Sequence, residues 1–184
     1  MTSELVERAQ RGDREAFDVL MGAAYHRLYA IARRILRDGY AAEDAVQDAL
    51  VRAWRDLRGL RDRDRFEAWL HRLLVNACQD QVRRRKRRPQ EVAVVEIEQT
   101  AGEDRIRQLI DRDELERAFL RLPIQQRAAL VLIHYVGLSG SEVAAILGIP
   151  AGTVYSRLHY GAQAMRVEMS GSSGAPLHRP GSRR

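Results

Sequence analysis

An all-helical protein in two units is the expectation for this chain, and three observations predict it. Leu, Ala, Arg and Glu abound while aromatic residues make up only 6% of the sequence, a balance that favours helix over sheet. Apolar residues recur at spacings of three and four over most of the length, the period of a helix with one buried face. The period is lost once in the interior, over residues 89–103, and then returns. With 184 residues, 45% of them apolar, the chain is long enough for one medium domain or two small ones with real cores.

The elements follow in order. Residues 2–11 read as a short helix, capped by Thr2 or Ser3 with Glu4 and Glu7 in its early turns. Gly12 and Asp13 restart the pattern. Phe17, Leu20, Met21, Ala24, Leu28, Ile31 and Ile35 then form one apolar stripe, ended by Asp38-Gly39. A third helix is predicted from about Ala41 to Leu57, with Val46, Ala49, Leu50, Ala53, Trp54 and Leu57 inward. Glu43, Asp44 and Asp48 form an acidic patch on its first turns. Gly59 to Asp64 is a charged loop. The fourth helix turns Phe66, Trp69, Leu70, Leu73, Leu74 and Ala77 inward, runs into the six consecutive cations Arg83–Arg88 and stops at Pro89.

Val92 to Ile97 has strand propensity, but no partner strand is predicted elsewhere, so residues 89–103 read as a linker. A second helical unit begins near Asp104 and runs to Leu122. Pro123 fits the first turn of the next helix, which carries Ala128, Leu130, Val131, Leu132 and Tyr135. Ser139-Gly140-Ser141-Glu142 fits a capping box, and Gly148-Ile149-Pro150 separates that helix from another beginning near Ala151. Val143, Ala144 and Leu147 on the first of this pair, and Val154, Leu158 and Met165 on the second, would make its small core. The expected organisation is residues 1–88, a linker over 89–103, a second domain over 104–168, and a Gly/Ser/Pro/Arg-rich disordered tail over 169–184.

Charge narrows the function classes. A formal net charge of +6 favours a polyanionic partner such as DNA, RNA or an anionic membrane surface. Cys78 is the one cysteine, so no internal disulfide forms. The five histidines show no ligand spacing, and no metal site, cofactor motif or nucleophile–base constellation is expected. The chain therefore does not read as an enzyme. No membrane-length apolar run or signal-peptide core is present, and the cytoplasm is the expected location.

The two helices around the Gly148 turn form a helix-turn-helix pattern. Tyr155, Ser156, His159 and Tyr160 would face base edges, and Arg157 and Arg166 phosphates. Thr153 and the first-turn amides can hold a phosphate. An ordinary helical hairpin would show the same spacing. The run Arg83–Arg88 needs an anion or free solvent, and Asn76 and Asp80 share its helix. Trp54, Phe66 and Trp69 could stack on unpaired bases, yet all three occupy apolar-stripe positions, which favours the core. The patch Glu43, Asp44, Asp48 fits either complementarity to the helix dipole or a docking face for a basic partner.

Three blocks together resemble the bacterial extracytoplasmic-function (ECF) sigma factors, promoter-specificity subunits of RNA polymerase. Ala42–Arg55 is similar to the family's polymerase-docking helix. Phe66–Asp80 with the basic run resembles its −10-reading helix. Leu122-Pro123, Ser139–Leu147 and Gly152–His159 resemble its −35-reading domain. The resemblance implies two helical domains with a flexible linker, and binding to core RNA polymerase and promoter DNA. Asp44, Gln47, Asp48 and Arg52 would dock on the polymerase clamp. The loop Arg61–Arg65 (Arg61, Arg63, Arg65) and Asn76 would capture a flipped −10 base, with Asp80, Arg83 and Arg84 alongside. Thr153, Tyr155, Ser156, Arg157, His159 and Tyr160 would read the −35 element. It also leaves room for an anti-sigma factor, and the free chain is expected to be monomeric. The sequence departs from the family where Tyr155 and Tyr160 replace usual cations, and where Gly161 replaces a usual Ala. The competing classes are a dimeric helix-turn-helix regulator, which leaves the acidic patch without a role, and a nucleic-acid enzyme, which lacks any reactive constellation.

Overall fold

The computed structural model describes residues 2–87 and 114–172, and every regular element among them is helical. In chain order they are α1 (Thr2–Gln10), α2 (Arg14–Leu36), α3 (Gly39–Asp56), two short 3-10 turns (Leu57–Gly59 and Arg63–Arg65) and α4 (Phe66–Arg87). These are followed by α5 (described over residues 114–121), α6 (Ile124–His134), α7 (Gly140–Leu147) and α8 (Ala151–Ser172). The predicted linker 89–103 and the predicted helix start near Asp104 lie outside the described residues.

Helix boundaries are set by side-chain caps. Asp13 accepts from the Ala16 amide at 3.0 Å and opens α2. Asp38 does the same for α3 through the Ala41 amide at 2.9 Å. This corrects the expectation that Asp38-Gly39 ends the second helix, since the pair begins the third. The residue that ends α2 is Arg37, in the left-handed region at φ 58°, with its amide bonded to the Arg33 carbonyl. Pro123 stands at the cap position rather than inside the first turn of α6. The Ser139/Glu142 capping box is formed in full. Gly148 closes α7 at φ 65°, a left-handed backbone that glycine adopts without steric cost. The final helix continues to Ser172, into the segment expected to be tail.

The predicted stripe of α2 is buried throughout, and Val46, Ala49 and Ala53 of α3 are fully buried. Trp54 departs from expectation. Its ring meets Phe17 edge-on at 4.8 Å, but 46% of the residue stays exposed. Phe66 is buried as expected, while Trp69 is only half-buried.

The two helical units also share a core, which the sequence reading did not anticipate. One contiguous apolar cluster runs from Val6 of α1 to Val154 of α8. Helix α4 packs on α2 and α3 and also on α6 and α7. Arg127 of α6 is buried between the units and donates to the Ile35 carbonyl at the end of α2 at 2.9 Å. Arg37 pairs with Glu116 of α5, and the Arg34 guanidinium lies 3.5 Å from the Tyr135 ring centroid. A cleft of about 410 Å³ remains at this junction, walled by Phe119, Leu130, Tyr135 and Met165 among others.

Two outcomes follow. Asp38 is held below its ordinary pKa. Partial burial opposes this shift, but the Ala41 amide and Arg85 outweigh it. A lowered folded pKa stabilises above the ordinary carboxylate pKa, and that contribution is lost as pH falls through the folded value. Asp38→Ala should therefore cost about 1 kcal/mol near neutrality. The gap to wild type should narrow at acid pH as Asp38 becomes protonated, as read by urea denaturation at neutral and acid pH. Cys78, fully buried on α4, has its thiol pushed up to about 12 by burial. At pH 8 iodoacetamide should label it at least ~100-fold slower in the native protein than in urea. Fast native labelling would show that the units stand apart in solution.

Candidate nucleic-acid interface

Residues assigned separately to polymerase and to the −10 strand turn out to be neighbours. Arg52 of α3 donates to Asp80 of α4 at 2.6 Å, and Asp80 also takes Arg83. Burial would raise the Asp80 pKa, but these two guanidiniums together hold it low. Arg84 reaches Asp48 at 3.0 Å and Arg85 reaches Asp38 at 2.7 Å. The acids of α3 thus neutralise part of the basic run. Glu43, Asp44 and Gln47 remain exposed on α3, and Asn76 on α4.

The loop holding Arg61, Arg63 and Arg65 lies at the other end of α4, roughly 20 Å of helix from Asp80. Its shape is fixed by α1. The Gln10 amide donates to the carbonyls of Leu57 at 3.1 Å and Leu60 at 2.7 Å, and Arg63 reaches Glu7 and Gln10, both at 3.1 Å. Arg65 pairs with Asp62 at 3.0 Å. Arg61, Arg63 and Arg65 are exposed, while Glu7 and Gln10 are half-buried.

The helix-turn-helix is built as its spacing predicts, with Val143 and Val154 fully buried between α7 and α8. Ile146, not singled out in the sequence, is buried with them, whereas Ala144, Leu147, Leu158 and Met165 are only half-buried. His159 and Tyr160 are exposed and meet edge-to-face at 5.5 Å. The Ser156 hydroxyl donates back to the Gly152 carbonyl at 2.9 Å. Thr153 and Arg157 are half-buried. Gly161 allows α8 to approach α6 closely, because a Cβ there would stand 3.3 Å from Leu130.

Tyr155 does not simply project outward. Its ring lies over the start of α7, and a Cβ on Gly140 would meet the Tyr155 hydroxyl at 2.7 Å and Cζ at 2.8 Å. The sequence signal was only a glycine at the first position of a helix, where it costs stability relative to alanine. Gly140→Ala should gain less than the about 0.5–1 kcal/mol such a change ordinarily brings, because the exposed Tyr155 ring must swing aside. The full gain should return in a Tyr155→Ala background, as a thermal double-mutant cycle would show.

Comparison with known proteins agrees with this geometry. Residues 20–88 match the model for Sigma-70 region 2, and residues 112–165 match the model for Sigma-70, region 4. The ECF RNA polymerase sigma factor SigM of Mycobacterium tuberculosis is 39% identical over 84% of this chain and 78% of its own length. The ECF RNA polymerase sigma-E factor of Escherichia coli is 32% identical over 84% of this chain and 86% of that protein. Among solved structures, CnrH in complex with the cytosolic domain of CnrY aligns at a TM-score of 0.66 with 27% identity, covering 92% of this chain and 97% of that one. The sigma factor RpoE of Bartonella quintana, in complex with the anti-sigma factor NepR, aligns at 0.60 with 27% identity, covering 86% and 97%. Two helical units carrying regions 2 and 4, in that order, and relatives of this identity and coverage place the chain in the ECF RNA polymerase sigma factor family.

Proposed function

We propose that the chain binds core RNA polymerase and directs it to promoters by reading −10 and −35 elements, without catalysing a reaction itself. The observation that carries this reading is the stripe Arg72, Asn76 and Arg83 left exposed on α4 beside the exposed acids of α3. One surface thereby offers an anionic face to a protein and a polar and cationic face to DNA.

In this reading residues 1–88 bind the polymerase clamp and the −10 element, and residues 104–168 read the −35 element. Asp44 and Gln47 dock directly on the clamp. Asp48 and Arg52 dock after exchanging their partners on α4. Surface ion pairs are worth only about 0–1 kcal/mol each, so a clamp contact or a phosphate can replace them. Arg61, Arg63, Arg65 and Asn76 hold the unpaired −10 nucleotides, and Arg83 and Arg84 the adjoining backbone once Asp80 and Asp48 release them. Opening costs a few kcal/mol per flipped base, which this set offsets. In the major groove, Thr153, Ser156, Arg157, His159 and Tyr160 supply contacts, with Tyr155 placed by Gly140.

Binding to core RNA polymerase implies a cytoplasmic site of action, and no helix among the described residues is long and apolar enough to cross a membrane. An anti-sigma factor is the expected inhibitor, since the Bartonella quintana relative is a complex of this kind. The free protein is expected to be a monomer.

Run-off transcription with core polymerase tests the assignment. Asp44 is exposed and has no ion pair among the described residues, so Asp44→Lys should leave the melting temperature unchanged. It should reduce promoter-dependent transcripts by at least about tenfold. Unaltered initiation by this variant, or promoter-specific binding indifferent to core polymerase, would overturn the reading.

A further inference from the structure

The cleft at the junction of the two helical units is used by none of the roles above. Its volume of about 410 Å³ falls within the roughly 300–1,000 Å³ of small-molecule sites. Phe119, Leu130, Val131 and Met165 wall it from α5, α6 and α8, and Arg34 and Arg37 wall it from the end of α2. Leu130 and Tyr135 belong to the apolar run of α6, yet Leu130 is only half-buried and Tyr135 is 46% exposed. Leu115 of α5 lines the same space and is 42% exposed. The walls therefore offer hydrocarbon that the fold itself does not cover.

The two cations on the α2 side are unequal. Arg37 is committed to Glu116 across the junction. Arg34 meets no carboxylate among the described residues. Its Nη1 donates to the Ala30 carbonyl at 3.1 Å, and its guanidinium lies 3.5 Å from the Tyr135 ring centroid. The ring fixes the guanidinium in place without neutralising it. A single fixed positive charge beside a pocket of aliphatic and aromatic side chains matches an alkyl chain that ends in one carboxylate. A polyanion would meet mostly hydrocarbon here, and a neutral hydrocarbon would leave the guanidinium unmatched.

We infer that this cleft binds a medium-chain fatty acid, with its alkyl chain along Phe119, Leu130 and Met165 and its carboxylate on Arg34. Its walls come from both units, so the ligand makes its full set of contacts only while they are packed together. By that differential affinity it holds the packed arrangement and opposes promoter reading. The opposition rests on the function proposed above; the binding does not.

The test titrates the full chain with decanoate, kept below its micelle concentration, in a calorimeter. Arg34→Gln should weaken binding by about tenfold through loss of the charge-assisted contact. Met165→Trp, which fills the cleft, should abolish binding. Each variant is checked by its melting curve, and should one fail to fold, the other decides. Decanol should bind wild type no better than decanoate binds Arg34→Gln. Equal affinity of wild type and the folded variants for decanoate overturns the inference. So does the absence of heat with decanoate, the result for a groove shaped to a protein segment. Binding to anionic phospholipid vesicles but not to free decanoate overturns it as well, by marking a membrane-facing surface. In run-off transcription with core polymerase, saturating decanoate should lower wild-type transcripts by about threefold or more and spare Met165→Trp. Binding without that loss overturns the opposition. Failure of the promoter reading itself would look different: no specific transcripts would form even without decanoate, while the calorimetric result would stand.

Discussion

Burial of α4 on two sides is the constraint from which the rest of the structure follows. Phe66, Leu70, Leu74 and Ala77 fall on one helical stripe and pack with α2 and α3. His71, Val75 and Cys78 fall on a second buried stripe, and α4 also packs on α6 and α7. Burial lowers the pKa of His71. With two stripes committed, the positions left to solvent over these turns are Arg72 and Asn76, continuing through half-buried Asp80 to Arg83. The same packing that stabilises the helix, at about 1.5–3 kcal/mol for each large apolar side chain, therefore decides which polar residues can meet DNA.

The charge lattice between α3 and α4 is a consequence of that placement. Once the helices pack side by side, Asp38, Asp48 and Arg52 must face Arg85, Arg84 and Asp80. Six consecutive cations would otherwise repel one another. The acids of α3 relieve this without forming strong bonds, because the arginines stay largely exposed and solvent screens them. The lattice keeps the basic end of α4 ordered while leaving it exchangeable, a useful state for a surface that must pass from intramolecular to intermolecular partners.

Much of this was legible in the sequence because it depends on local rules. The stripe of α2, the Ser139/Glu142 box and the turn at Gly148 each follow from spacing or from one residue's backbone preference. The misses are all non-local. Asp38-Gly39 signals both a helix end and a helix start, and only the left-handed Arg37 assigns it to the start of α3. Trp54 fits the inward stripe, yet only Phe17 meets its ring among the described aromatic residues and 46% of it stays exposed. Gly140 reads as a weak helix residue until Tyr155, fifteen positions later in the chain, is seen lying across it. Arg127 sits among apolar residues in an amphipathic pattern, and nothing local announces that the other unit will bury it. For the candidate site, sequence named the outward residues of α4 and α8. It could not show that polymerase and DNA candidates are paired with one another.

The junction between the units carries a polar cost of its own. The Arg127 guanidinium is buried with its Nε unpartnered among the described residues, a loss of about 1–3 kcal/mol. Arg37 holds a left-handed backbone, about 1–2 kcal/mol above the right-handed one, while its side chain reaches Glu116. A shared apolar core offsets these terms and keeps the units together. Promoter geometry pulls the other way. Elements centred at −10 and −35 are about 25 base pairs apart, roughly 85 Å at 3.4 Å per step, whereas a compact chain of this length has a radius of gyration of about 16 Å. Packed as described, α4 and α8 cannot occupy both elements at once. Reading a promoter therefore requires the junction to part. The penalty at Arg127 lowers the cost of parting without weakening either unit, because it is relieved when the junction opens, whereas the left-handed Arg37 belongs to the end of α2 and is unchanged.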